Sequence, residues 1–221
     1  MREGPVEIPV GPETLQGNLV VPAGAAGVVL FAHGSGSGRH SPRNRYVARA
    51  LQDAGLATLL IDLLTHEEEA VDIQTAQFRF NIDLLAERLQ EAATWLVTSQ
   101  LAKNLRVGLF GASTGAAAAL VAASRRPEMV GAIVSRGGRP DLAGDALLRV
   151  RAPTLLIVGG EDTAVIALNR HALASLRGTK RLDIVPGATH LFEEPGALKQ
   201  VASLTSEWFL RYLAPVSGDA S

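Results

Sequence analysis

The sequence predicts an α/β fold: a mostly parallel, doubly wound sheet of about eight strands with helices on both faces. Three observations predict it. Short continuous apolar runs recur along the chain, as expected of strands covered on both faces. Stretches of helical periodicity alternate with those runs, which is the pattern of right-handed crossovers between parallel strands. Two looser, alternating stretches joined by a turn stand before the first apolar run, and these read as an antiparallel pair at the start of the sheet.

Taken in order, Val6-Glu7-Ile8-Pro9-Val10 alternates and reads as an edge strand, where Pro9 is tolerated. Gly11-Pro12-Glu13-Thr14 is a turn, and 15–21 pairs back on the first strand. Val28-Val29-Leu30-Phe31-Ala32 is the first buried strand; it ends in the glycine-rich loop His33-Gly34-Ser35-Gly36-Ser37-Gly38-Arg39. A helix over 43–54 stops at Gly55. The strand 57–61 follows and ends in Asp62; 62–78 is expected to be a polar, acidic connection. Leu85, Leu89, Ala92 and Leu96 recur at helical spacing, giving an amphipathic helix over about 79–101. Then come strand 106–110, helix 114–126, strand 130–134 and strand 152–158. Helix 164–176, strand 181–185 and a last helix carrying Leu198, Val201, Leu204, Trp208 and Tyr212 on one face complete the pattern. Neither an internal repeat nor a long linker divides the chain, so 1–221 is expected to be one domain with a disordered tail at about 215–221.

Composition narrows the partners. The 221 residues carry 22 acidic and 21 basic side chains, a net charge of −1, which favours neither nucleic acid nor an anionic membrane. Apolar residues make up 47% and charged ones 19%, enough to build a core. The absence of cysteine excludes disulfides, thiolate zinc sites and a thiol nucleophile. Met1-Arg2-Glu3-Gly4-Pro5 lacks the apolar stretch of a signal peptide, and no run approaches the roughly 18 apolar residues of a membrane span. A cytoplasmic location and a small-molecule substrate are the expectations, with oligomeric state left open.

The chemistry centres on Gly111-Ala112-Ser113-Thr114-Gly115, set between the apolar run Val107-Gly108-Leu109-Phe110 and the small-residue helix that opens Ala116-Ala117-Ala118-Ala119. A strand–turn–helix of this kind lifts a serine hydroxyl out of the turn and aims the helix N-terminus at it, so Thr114 N–H can stabilise an oxyanion. A serine hydroxyl needs a positioned base, and the base needs a carboxylate to fix its tautomer. Ser113, Asp162 and His190 supply these parts in the order Ser, Asp, His, each just past a buried strand, where α/β sheets gather their sites.

With those residues the chain resembles the α/β-hydrolase superfamily over roughly 6–213. The matching features are Gly111 to Gly115, the His33-Gly34 loop, Gly159-Gly160-Glu161-Asp162 and Gly187-Ala188-Thr189-His190. It looks most like the dienelactone-hydrolase-like proteins, which lack an inserted cap domain. The loop 33–41 and Ser135-Arg136-Gly137-Gly138 suit that group. The nucleophile is a departure: serine stands where dienelactone hydrolase itself has cysteine. The resemblance implies a second oxyanion donor from the loop after the first buried strand, Ser35 N–H or, alternatively, that of Gly36.

Other assignments compete at several positions. Ser113 and Asp162 could each cap the helix that follows. Glu161 and Asp62 are rival acids. His33 is expected to organise its loop, His40 to face either the pocket or the surface, His171 to lie on the surface, and His66 to belong to a solvated acidic loop. Arg39 and Arg136 could contact an acidic substrate group or pair with Asp62 and Asp141. The expectation is a serine hydrolase cleaving a carboxylester, lactone or thioester through an acyl-enzyme, with no cofactor and no metal. Acyl transfer, peptide cleavage and non-catalytic binding of a small molecule are the alternatives on the same fold.

Overall fold

The computed structural model describes residues 2–214; the expected tail at 215–221 lies outside them. Eight strands form one sheet: β1 (Arg2–Val10), β2 (Glu13–Val21), β3 (Val28–Ala32), β4 (Ala57–Ile61), β5 (Val107–Ala112), β6 (Val130–Arg136), β7 (Thr154–Gly159) and β8 (Lys180–Val185), in the spatial order β1-β2-β4-β3-β5-β6-β7-β8. β1 and β2 form an antiparallel hairpin, β2 pairs antiparallel with β4, and the other pairs are parallel. Pro9 sits on β1, the edge strand, where its missing N–H costs no ladder bond. Strand order reverses between β3 and β5. The chain therefore leaves their C-terminal ends in opposite directions and opens a crevice there.

The helices are α1 (Pro42–Asp53), α2 (His66–Thr75), α3 (Ile82–Thr98), α4 (Thr114–Arg125), α5 (Thr163–Ser175) and α6 (Ala197–Leu213). α1 and α6 cover one face through Val47, Leu51, Val201, Trp208 and Phe209, packed on Phe31 and Phe110 of the central strands. α3 and α4 cover the other through Leu85, Leu89, Leu96 and the alanines 116–119, which are fully buried. Burying a whole helix side on a sheet needs short side chains, and the alanine run supplies them. The connection between β6 and β7 is a kinked 3-10 segment, Pro140–Arg149, too short to form an inserted cap.

Two expectations need correction. The segment 62–78 contains the helix α2 rather than only loop. Its start is a capping box, in which Thr65 accepts the Glu68 N–H and the Glu68 carboxylate accepts the Thr65 N–H. Glu68 is also held by the buried Arg88, which donates as well to the Leu63 carbonyl at 2.6 Å. The second correction concerns α3, which begins at Ile82 because Asn81 caps it, and ends at Thr98 rather than 101.

Candidate active site

The turn after β5 is held by space rather than by sequence preference alone. A Cβ on Gly111 would lie 2.4 Å from Ala116 Cα, and one on Gly115 would lie 2.3 Å from the Ala32 carbonyl oxygen. Both neighbours are backbone, so neither can give way. Between these glycines Ser113 adopts φ 51°, ψ −120°, a strained region for a residue with a side chain. Its side chain makes no capping bond to α4 and is half-buried at the sheet rim. The Ser113 N–H donates to the Arg136 carbonyl at 3.3 Å, which ties the turn to β6.

Asp162 and His190 meet because β7 and β8 converge at their C-terminal ends. A Cβ on Gly159 would sit 2.4 Å from the Ala188 carbonyl, and Glu161 N–H donates to that same carbonyl at 3.0 Å. Asp162 stands at the N-terminus of α5 without capping it. Its carboxylate instead accepts a 2.6 Å bond from His190 Nδ1. That bond fixes the tautomer and leaves Nε2 as the nitrogen able to take a proton. The rival acids are placed elsewhere: Glu161 is exposed, and Asp62 accepts from the Arg39 N–H at 2.7 Å and pairs with the Arg39 guanidinium. Gly137, at φ 51°, approaches from β6, its missing Cβ 3.5 Å from His190 Cε1.

The loop after β3 lies directly against the serine. A Cβ on Gly34 would be 3.0 Å from Ser113 Cβ. His33 holds this loop: Nδ1–H donates to the Gly34 carbonyl at 2.9 Å and Nε2 accepts the Leu63 N–H at 2.9 Å. Burial, the largest influence, keeps the ring's pKa below its usual 6.5 against weaker opposing interactions, so the ring is neutral, as those two bonds require. Ser35 N–H donates to Thr114 Oγ1 at 3.1 Å, and the two hydroxyl oxygens are 3.0 Å apart. The two expected oxyanion residues are thus brought together, with the Ser35 N–H already engaged by the neighbouring hydroxyl.

A small cleft opens beside this pair, lined by Ser35, Gly36, Thr114, Leu64, Ile73 and Arg79 among others. Its far wall is shaped by Asp72, which is buried and gathers the loop after α2: it accepts from the Phe78 and Arg79 N–H groups at 2.8 and 2.9 Å and from Arg79 Nε at 2.8 Å. Arg39 and His40 do not line that cleft; they border a surface groove between α1 and the β1–β2 hairpin. Asp141 pairs with Arg139, not with Arg136. His66 and His171 are exposed. Sequence reasoning missed Asn169, which is fully buried on α5 and donates to the Gly138 carbonyl at 3.0 Å, holding the loop after β6. The signal was available: an amide among Val165, Ile166 and Ala172 on an otherwise apolar helix face.

A strained serine turn at the crevice of a doubly wound sheet, with a carboxylate–imidazole pair at the same rim, defines an α/β hydrolase fold. Comparison with known proteins narrows the class. The family model for the dienelactone hydrolase family matches residues 15–213, and the chain belongs to that family. Its fold is accordingly the α/β-hydrolase fold. A solved dienelactone hydrolase from Anabaena variabilis is 64% identical, with a TM-score of 0.94 over 96% of this chain and 98% of that one. The esterase domain of a Rhodothermus marinus protein shares only the fold, at 21% identity and a TM-score of 0.73 over 97% of this chain and all (100%) of that one. A Mycobacterium tuberculosis protein provisionally named a phosphoribosyl transferase is 56% identical over 213 residues, 96% of this chain and 47% of that protein. The chain thus spans about half the length of the curated relatives it matches. Among the described residues no helix is long and apolar enough to cross a membrane.

Proposed function

We propose that the chain hydrolyses an ester-like bond, a carboxylester, lactone or thioester, through Ser113, His190 and Asp162. The observation that carries this reading is the 2.6 Å bond from His190 Nδ1 to Asp162, formed at the rim where Ser113 is held at positive φ. In this reading Ser113 Oγ attacks the carbonyl carbon and its proton passes to His190 Nε2. Asp162 stabilises the imidazolium and is not itself protonated. The oxyanion is held by Thr114 N–H, the first of α4. The second donor is Ser35 N–H, once released from Thr114 Oγ1, with Gly36 N–H the alternative on the same loop. His190 returns the proton to the departing oxygen or sulfur. Water, deprotonated by the same ring, then releases the acyl group from Ser113. The cleft lined by Leu64 and Ile73 takes the apolar part of a small-molecule substrate. No cofactor enters any of these steps. In a longer protein of the mycobacterial kind, this chain would be the hydrolytic half.

The test is a panel of short-chain, aromatic, lactone and thioester substrates with wild type and Ser113→Ala. Turnover by the wild type and a loss of at least about 10³-fold in the variant are expected. Equal turnover by the two would refute the reading.

A further inference from the structure

Arg136 ends β6 one strand spacing, about 4.8 Å, from the serine turn: it pairs in register with Ala112, and its carbonyl accepts the Ser113 N–H. Its side chain is buried, with 8% exposure. Successive residues of a strand face opposite sides. Ser135 lies toward α4, where its hydroxyl is packed against Gly138 and Ala116, so Arg136 faces the α1 side. There it meets Arg43, from the first turn of α1. Arg136 Nε and Nη1 and Arg43 Nε are enclosed without a hydrogen-bond partner among the described residues. Burial first, and then the like charge of Arg43, pull the Arg136 pKa down to about 10. Arg88 is buried to the same degree, but two oxygens of Glu68 and the Leu63 carbonyl answer its guanidinium.

A buried guanidinium without a counter-ion is costly and is usually paired. The nearest carboxylate in the network is Glu193, which Arg43 Nη1 meets at 3.1 Å. Glu193 is 65% exposed and stands three residues beyond His190. An exposed pair of that kind is weak and readily exchanged. The first turn of α1, the end of β6 and the His190 loop therefore converge on Arg136, which has no counter-ion among the described residues, and on Arg43, whose carboxylate partner is the exposed Glu193.

We infer that Arg136 and Arg43 form a subsite for an oxyanion group, a phosphate or a carboxylate, carried by the substrate whose ester bond Ser113 cleaves. This rests on the hydrolase reading above. A planar guanidinium fork suits either group, and two cations together favour the doubly charged phosphate.

The 4-nitrophenyl esters of butyrate, succinate and 3-phosphonopropionate have similar size and differ in carrying a methyl, carboxylate or phosphonate end. Wild type is expected to prefer the anionic esters. The kcat/KM ratio of anionic to neutral ester should fall about 10- to 100-fold in Arg136→Gln and Arg43→Gln, the range expected for hydrogen bonds to a charged group. The preferred anionic ester assigns phosphate or carboxylate. A second readout is independent of turnover. Inorganic phosphate should raise the Tm of wild type and of Ser113→Ala but not of Arg136→Met. Arg136→Met itself should be more stable than wild type without ligand, since it removes an unpaired buried charge. An unchanged ratio in both glutamine variants, with no phosphate shift in Tm, would overturn the subsite while leaving neutral ester hydrolysis intact. No turnover of any ester, with the phosphate shift still dependent on Arg136, would instead remove the hydrolase reading and keep the subsite. Should the Arg136 variants not fold, Arg43→Gln, at a partly exposed position, decides.

Discussion

Ser113 is held at φ 51°, ψ −120°, a conformation that costs a residue with a Cβ about 1–3 kcal/mol. The strain and the chemistry reside in the same atom set, so they can be separated by substitution. Ser113→Gly should raise unfolding stability by about 1 kcal/mol in urea titrations, because relief of strain outweighs the added freedom of the unfolded chain. Ser113→Ala keeps the Cβ and the strain and should leave stability near that of wild type. Both should lose turnover. Asp162→Asn tests the tautomer argument: His190 Nδ1 would then face an amide, and kcat should fall on the order of 10²- to 10⁴-fold while KM changes little. At this scale the sequence pointed to Ser113, Asp162 and His190 as candidates because each follows the C-terminal end of an expected strand, and the structure sets Asp162 and His190 in contact there. The oxyanion loop was less so. The bond from Ser35 N–H to Thr114 Oγ1 depends on a side-chain approach between two loops that no spacing encodes.

At the scale of elements, the serine turn is rigid because glycine alone fits at both ends. Gly111→Ala and Gly115→Ala should each lose roughly 3 kcal/mol or more, since the intruding methyl would meet backbone atoms at 2.4 and 2.3 Å. Gly4→Ala, on β1 with nothing within 4 Å of the added Cβ, should change stability by no more than about 0.5 kcal/mol in the same titration. The helix α2 escaped the sequence reading because its composition is acidic and only weakly amphipathic. Its real signal was local, Thr65 three residues before Glu68, and that pattern sits ahead of no hydrophobic run. What holds α2 in place is the Glu68–Arg88 pair, which joins it to α3 across a gap of 20 residues. Glu68→Gln would leave the buried Arg88 charge half answered. The amides of 66–75 are then expected to exchange hydrogen faster, with the amides of β5 unaffected.

For the whole molecule, the fold was readable because its physics is repetitive: apolar runs, crossovers and a hairpin at one edge. The order β4-β3-β5 at the switch point follows from where successive crossovers place their strands, and it puts His33 and Ser113 side by side. Global stability should report the buried titrations. Burial holds the folded-state pKa of His33 below 6.5, so its contribution is full above that value and is lost as pH falls toward the folded pKa. Glu68 and Asp72 are desolvated, yet the bonds from Arg88 and Thr65, and from Arg79 and Phe78, bring their pKa values below 4.5 and 3.8. Their contribution is present above those values and lost below them. Thermal melts should therefore be flat above about pH 7 and fall in two stages on acidification, the first disappearing in His33→Gln.

The most direct test of the central claim is covalent labelling with a fluorophosphonate, located by mass spectrometry. A single phosphonylated residue, Ser113, is expected in the wild type, with labelling slowed strongly in His190→Ala and absent in Ser113→Ala. A label on another serine, or an unlabelled wild type that still turns over esters, would contradict the account.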